Sequence, residues 1–154
     1  MSPILRPYRV ADRSACLTLF DSNTPDFFLP YERDEFTQWL DHERLDAPSD
    51  YLVMEDADGS VVACGGVWQE ENGAGLAWGM VSRDRQRQGF GSALLLARLE
   101  RLRELGVKRV HLDTTPQSSP FFVRHGFQEL RRTPDGYGPG QDRIDMVAWL
   151  DPGD

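Results

Sequence analysis

Two cysteines in 154 residues are too few for a disulfide framework, and no zinc-ligand spacing is present. Cys16 falls on a predicted helix and Cys64 in a predicted strand, where small buried thiols are expected. No apolar stretch approaches the roughly 20 residues a membrane-spanning helix requires; the longest runs around Ala93 to Ala97. Met1-Ser2-Pro3-Ile4 does not begin a signal peptide, so a cytoplasmic location is expected and no membrane partner. Positive charge is in deficit. A net charge of −8 repels a polyphosphate backbone, which argues against nucleic acid and favours cationic partners. Internal repeats and low-complexity tracts are absent, and the length suits one domain over 1–154 with a core of its own.

What is present is a regular alternation of strand and helix patterns. Ile4 to Tyr8 reads as a short strand, and Asp12 can cap a helix whose Cys16, Leu19 and Phe20 share a face. A second helix is expected from Pro30, turning Phe36, Trp39 and Leu40 inward. Strands at Tyr51 to Glu55, Val61 to Trp68 and Leu76 to Val81 are joined across Asp58-Gly59 and Asn72-Gly73, giving an antiparallel meander. A helix bearing Leu95, Leu99 and Leu102 then stops near Gly106 and leads to a strand at Val110 to Thr114. Strand, helix crossover and strand imply a parallel pair within a mixed sheet with helices on its faces. Asp21 to Leu29 and the Gly/Pro-rich Thr133 to Gln141 read as irregular loops on the substrate side.

The densest chemical signal is Gln86-Arg87-Gln88-Gly89-Phe90-Gly91, set between the strand ending at Val81 and the leucine-rich helix. Glycines at a strand-to-helix turn let the backbone curl and come close to a ligand, while the first helical amides have no partner within the helix. Such a turn cradles phosphate. The positive end of the helix dipole, Ser92 in the first turn and the cluster Arg83, Arg85 and Arg87 add to it, against the sign of the whole chain. No Lys-Ser/Thr follows the second glycine, as a P-loop would need, and the third glycine of the dinucleotide fingerprint is missing.

The pattern Val81-x-x-x-x-Gln86-x-x-Gly89-x-Gly91, followed by Ser92-Ala93-Leu94-Leu95, resembles the pyrophosphate loop of the GNAT superfamily of acyl-CoA-dependent N-acetyltransferases. Phe121-Phe122-Val123-Arg124-His125-Gly126-Phe127 is similar to that family's aromatic segment ending in Gly-Phe, and Asp145 to Leu150 to its last strand. The resemblance implies an α/β (α+β) fold of one domain. Its mixed, mostly antiparallel sheet would have six or seven strands flanked by helices, with a central parallel pair splayed around pantetheine. It further implies acetyl-CoA as cosubstrate, no metal, and an amine acceptor, and it leaves a homodimer open. The cofactor would rest on Met80, Val81, Gln86, Arg87, Gln88, Gly89, Phe90, Gly91, Ser92, Thr114 and Phe122.

Amine attack on a thioester needs a proton acceptor, and the strand Leu76 to Val81 carries no acid. His111 and Asp113, alternating onto one face of a later strand, are the leading candidates; Glu70 and Glu71 at a hairpin end are the others. Backbone amides at Gly79 and Met80 are expected to polarise the thioester, because a glycine inside a strand suggests a bulge with an unpaired donor. Many relatives have a tyrosine at the position of Phe122 to protonate the leaving thiolate; phenylalanine cannot, and Tyr31, Tyr137 or Thr114 could substitute. That departure supports an alternative, a catalytically silent acyl-CoA-binding module. For the acceptor, Phe27, Phe28, Tyr31 and Glu32 combine aromatic faces with a carboxylate, which suits an amine cation on an apolar body.

Overall fold

A computed structural model describes residues 3–24, 27–43, 49–71 and 73–150. Seven strands form one sheet: β1 (Ile4–Pro7), β2 (Ser49–Glu55), β3 (Val61–Glu70), β4 (Gly73–Val81), β5 (Arg109–Thr114), β6 (Gln128–Gly138) and β7 (Gln141–Trp149). Their order is β1-β2-β3-β4-β5-β7-β6, and every neighbouring pair is antiparallel except β4 and β5. The expected mixed sheet is therefore present. The hairpin at Asp58-Gly59 forms as read, with Gly59 at φ +87°, a conformation glycine adopts without steric cost. Asn72, half of the second predicted turn, lies outside the described residues, as does Asp26 of the acidic loop.

Helices α1 (Arg13–Ser22) and α2 (Glu32–Gln38) cover one face of the sheet, α2 running on into a π turn at Trp39–Glu43. The expected inward residues are there: Cys16, Phe20, Phe36 and Leu40 pack against Tyr51, Val53, Cys64 and Met80. On the other face lie α3 (Phe90–Glu104) and α4 (Ser119–Arg124). There Leu95, Leu99 and Leu102 meet Val67, Val110, Leu112, Ile144 and Met146. Each fully buried aliphatic side chain contributes about 1.5–3 kcal/mol, so the two faces together outweigh any single polar contact. Gly106, at φ +84°, ends α3 where the leucine spacing stops.

Two expectations are corrected. Asp12 occupies the position before α1, but its side chain caps nothing there. Instead its carboxylate accepts two bonds from the Arg6 guanidinium, both at 2.8 Å, and one from the Arg9 amide at 2.8 Å, fastening β1 to the start of α1. The segment from Thr133 is also no irregular loop as far as Gly138. It extends β6 and pairs with β7 through Thr133↔Arg143 and Gly138↔Gln141, with a register shift between. Pro134 is tolerated because β6 is an edge strand, and Asp135 turns the ribbon at φ +53° while its carboxylate accepts the Gly140 amide at 2.8 Å.

Arg6 holds the Asp12 carboxyl below its ordinary range. A lowered folded-state value means the stabilisation is fully present above about pH 3.9, the unfolded-state value, and is lost as pH falls through the folded-state one. Asp12→Ala should cost about 1–3 kcal/mol at pH 7, because it leaves the mostly buried Arg6 guanidinium with only Glu55 at 3.2 Å, and much less at pH 2; urea titrations at both pH values check this.

Candidate functional site

β4 and β5 run parallel with a single register pair, Gly75↔His111, and part toward their carboxyl ends. A wedge opens there. On its β4 side, Cys64 pairs with Met80 and Gly66 with Ala77, so Trp78 and Gly79 together oppose Gly65 alone. This is the bulge anticipated from the glycine at position 79, with Trp78 held at φ +44°. Gly79 is exposed while Met80 is 6% exposed.

The turn that follows β4 brings Gln86, Arg87, Gln88, Gly89, Phe90, Gly91 and Ser92 to the start of α3. Arg87 (φ +67°) and Gly89 (φ +88°) are both left-handed, which swings the amides outward. The first helical bond is donated by Ala93 to the Gly89 carbonyl at 3.1 Å; the amides of residues 89–92 have no acceptor among the described residues. A side chain at Gly89 would meet nothing within 4 Å, whereas one at Gly91 would touch Phe121 and Val81 at 3.6 Å. The arginine cluster divides. Arg85 is paired to Asp56 at 2.6 Å and lies over the Phe90 ring, and Arg83 lies 4.9 Å over Phe27. Arg87 is exposed and has no ion-pair partner among the described residues.

A polar clamp that sequence reasoning missed holds this turn. Asn23, 2% exposed at the end of α1, donates through Nδ2 to the carbonyls of Leu19 and Val81, both at 2.9 Å. Its Oδ1 accepts from Gln86 Nε2 at 2.9 Å. The Gln86 side chain thus ties the cradle to α1 and to the end of β4. Because these partners are some sixty residues apart in the chain, no local pattern announced them.

The proton-acceptor candidates separate. His111 pairs with Gly75 at the closed end of the wedge, whereas Asp113 is two residues nearer the open end. Asp113 accepts a short hydrogen bond from the Tyr137 hydroxyl at 2.5 Å and lies 3.8 Å from Arg143. Burial and the Asp113 charge push the Tyr137 phenol well above its ordinary range. Glu70 pairs with Gly73, at the opposite end of β4 from Met80, and Glu71 follows it. Thr114 ends β5 at the wedge mouth opposite Ile144. Phe122 packs edge-on to Phe121 and Phe127, an apolar lodging consistent with its lack of a proton to give.

On the acceptor side, Phe28 stacks on Phe20 at 4.6 Å and lies 6.1 Å from Trp78, so it is part of the core wall rather than free in a loop. Tyr31 and Leu29 pack against Gly138 at the end of β6, which brings α2 toward Tyr137. Glu32 is 6% exposed and accepts the Leu29 amide at 3.0 Å. Burial raises its carboxyl, against that hydrogen bond, with Glu35 and Asp113 adding in the same direction. Among the described residues no group of three or more His, Cys, Asp or Glu could hold a metal ion, and no helix is long and apolar enough to cross a membrane.

Residues 16–127 match the model of the acetyltransferase (GNAT) family. The chain belongs to that family. Its members are acetyltransferases, and the expected fold is the one observed. A GNAT-family acetyltransferase from Staphylococcus aureus Mu50 superposes with a TM-score of 0.80 at 16% identity, over 97% of this chain and 100% of that one. The Escherichia coli ribosomal-protein-S18-alanine N-acetyltransferase gives 0.80 at 19% identity, covering 99% and 97%. A GNAT phosphinothricin acetyltransferase from Sinorhizobium meliloti, in complex with AcCoA, gives 0.80 at 19% identity, covering 99% and 91%. At such identities the likeness extends to the fold alone. No curated protein matches the chain by sequence.

The raised Glu32 carboxyl has a measurable sign. Its contribution to stability is complete below the unfolded-state value of about 4.3 and is lost as pH rises through the folded-state one. Glu32→Gln keeps an acceptor for the Leu29 amide without the charge, so its melting temperature relative to the parent should rise by a few degrees between pH 4 and pH 8. A difference that stays constant across that range would show the carboxylate to be solvated.

Proposed function

We propose that this protein transfers an acetyl group from acetyl-CoA to a primary amine by direct attack on the thioester. The observation that carries the reading is the set of unpaired amides at residues 89–92, placed where the β4–β5 wedge opens and where an anion meets the positive end of α3. The diphosphate would rest on Gln86, Arg87, Gln88, Gly89, Phe90, Gly91 and Ser92. Pantetheine would lie along Met80 and Val81 with Thr114 and Phe122 across the wedge, and the thioester oxygen would face the amides of Gly79 and Met80.

The acceptor amine must first lose a proton. A free alkylammonium is deprotonated only about once in a few thousand molecules at pH 7, a gap of roughly 4–5 kcal/mol. Asp113 takes that proton more readily than His111, because it is nearer the wedge mouth, while the Tyr137 hydroxyl donates to its carboxylate and the Arg143 guanidinium stands 3.8 Å away as a fixed positive charge. The amine lone pair then forms the C–N bond, the carbonyl pair moves to oxygen, and collapse breaks the C–S bond. The thiolate, with a parent thiol near pKa 8.5, leaves without help from Phe122. Phe27, Phe28, Tyr31 and Glu32 line the acceptor side, where one carboxylate among aromatic rings suits a cation on an apolar body. We infer a cytoplasmic enzyme that handles small amines or peptide termini. Phe122, locked among aromatic rings, favours one other reading: a module that binds acyl-CoA without turnover.

Free thiol should appear when acetyl-CoA and a panel of amines meet the purified protein; tight CoA binding with no turnover across the panel supports the silent module instead. Gly89→Asp should abolish calorimetric CoA binding while shifting stability by only about 1–2 kcal/mol, the cost of a left-handed non-glycine residue in otherwise open space. Unchanged affinity would remove the cradle. Asp113→Asn should lower kcat by about 10²–10⁴-fold.

A further inference from the structure

Arg98 occupies a place where an arginine is costly. It follows Leu94 by four residues and precedes Leu102 by four, so α3 carries it on the buried stripe, and it is 4% exposed. Its hydrogen bonding among the described residues is poor. Nη1 reaches the Gly66 carbonyl at 3.5 Å, the limit of a hydrogen bond, and Nε has no partner. Among the described residues no carboxylate pairs with it. Burial lowers its pKa to about 10, which still leaves it charged at neutral pH. An apolar side chain of similar size would relieve this desolvation, so packing alone does not account for a cation here.

What the guanidinium touches is the bulge. A Cβ added to Gly79 would lie 2.7 Å from Arg98 Nη2, 2.8 Å from Nη1 and 3.0 Å from Cζ, and one on Gly65 would lie 3.1 Å from Nη1. Glycine at both positions lets the charge lie directly against the main chain of β3 and β4. Gly79 is itself exposed, so a ligand can reach the residue that the buried cation lies against. A second group acts on the same peptide. The Tyr51 hydroxyl, deep in the core, donates to the Trp78 carbonyl at 2.7 Å. Withdrawing density from the Trp78 oxygen makes the Gly79 amide a stronger donor, since hydrogen bonds in series polarise one another at low dielectric.

We propose that Arg98 is a positioning residue for acyl transfer, its buried charge acting through the Gly79 peptide to stabilise the oxyanion that forms when an amine adds to the thioester carbonyl. The inference rests on the functional reading above, in which that oxygen faces Gly79 and Met80. In the addition step the carbonyl pair moves to oxygen, and a fixed positive charge behind the receiving amide lowers that barrier with no reorganisation. When the intermediate collapses, the pair returns to the carbonyl, the thiolate departs, and the amine proton has passed to the base. Arg98 exchanges no proton or electron. Its role is an oriented field, in the region where the strand supplies no acid and α4 no tyrosine.

The test uses the full chain with acetyl-CoA labelled with carbon-13 at the acetyl carbonyl. Isotope-edited infrared difference spectra read the carbonyl stretch, calorimetry reads CoA affinity, and the amine panel reads turnover. In the parent, the bound carbonyl should stretch at lower frequency than free acetyl-CoA. Arg98→Met should return it toward the free value and lower kcat by about 10–100-fold, less than loss of a direct oxyanion donor. CoA affinity should stay within about 2-fold and the melting temperature should hold or rise. A merely structural arginine would instead lower stability and leave the stretch alone. Arg98→Lys should recover part of the shift. An unshifted stretch in the parent, or an unchanged stretch and kcat in Arg98→Met, overturns the proposal; if the methionine variant fails to fold, Arg98→Lys decides it, because moving the charge must change the stretch and kcat, and a variant identical to the parent in both overturns the proposal. If the parent does not bind CoA at all, the functional reading falls first and this inference with it.

Discussion

β4 and β5 are paired with one another only at Gly75 and His111, and beyond that point no ladder joins them. Buried peptide groups without partners cost about 1–3 kcal/mol each, so such a gap persists only where the surrounding sheet fixes both walls or where a ligand completes the pairing. Here both walls are fixed. β4 is locked by its ladder to β3, interrupted only at Trp78 and Gly79, and β5 by an unbroken ladder to β7 from Arg109↔Trp149 to Thr114↔Ile144. The cradle, the bulge and Asp113 all take their places from that arrangement.

Charge follows the same geometry. The chain is acidic as a whole, yet the start of α3 offers unpaired amides and the exposed Arg87, while on the acceptor side Glu32 senses Asp113, and Asp113 and Asp145 share Arg143. An anionic carrier and a cationic acceptor would thus be drawn to opposite walls of one opening. Asn23 links the two, since it bonds both to the last carbonyl of β4 and to Gln86 while ending the helix that precedes the acceptor segment. Two hydrogen bonds thus fasten the end of α1 to β4 and to the phosphate-side turn.

Much of this was legible in the chain. Leu95, Leu99 and Leu102 marked the buried face of α3, Asp58-Gly59 marked a hairpin, and the glycines at 89 and 91 marked a tight strand-to-helix turn, in which Gly89 is left-handed. These are local signals, with short-range physical causes. Others depend on distant partners. Asp12 had the credentials of a helix cap, but Arg6 and Arg9 claimed its oxygens. His111 and Asp113 were equivalent by alternation until the register placed one at the closed end of the wedge and the other toward its mouth. Pro134 and the glycines around it suggested a loop, because sequence cannot tell an edge ribbon from a disordered one. Arg98 could have been found earlier: a charge in phase with Leu94 and Leu102 on an apolar stripe is a contradiction that spacing alone exposes.

The two outermost strands share a feature with bearing on how copies of this chain meet. β1 is four residues long and ends at Pro7, and β6 carries Pro134 beside Arg131 and Arg132. Proline withholds a donor, and like charges repel an incoming ribbon, so neither rim presents an unbroken row of amides and carbonyls for another molecule to zip onto. The sheet is thus finite by construction, closed to open-ended polymerisation along its hydrogen-bonding direction.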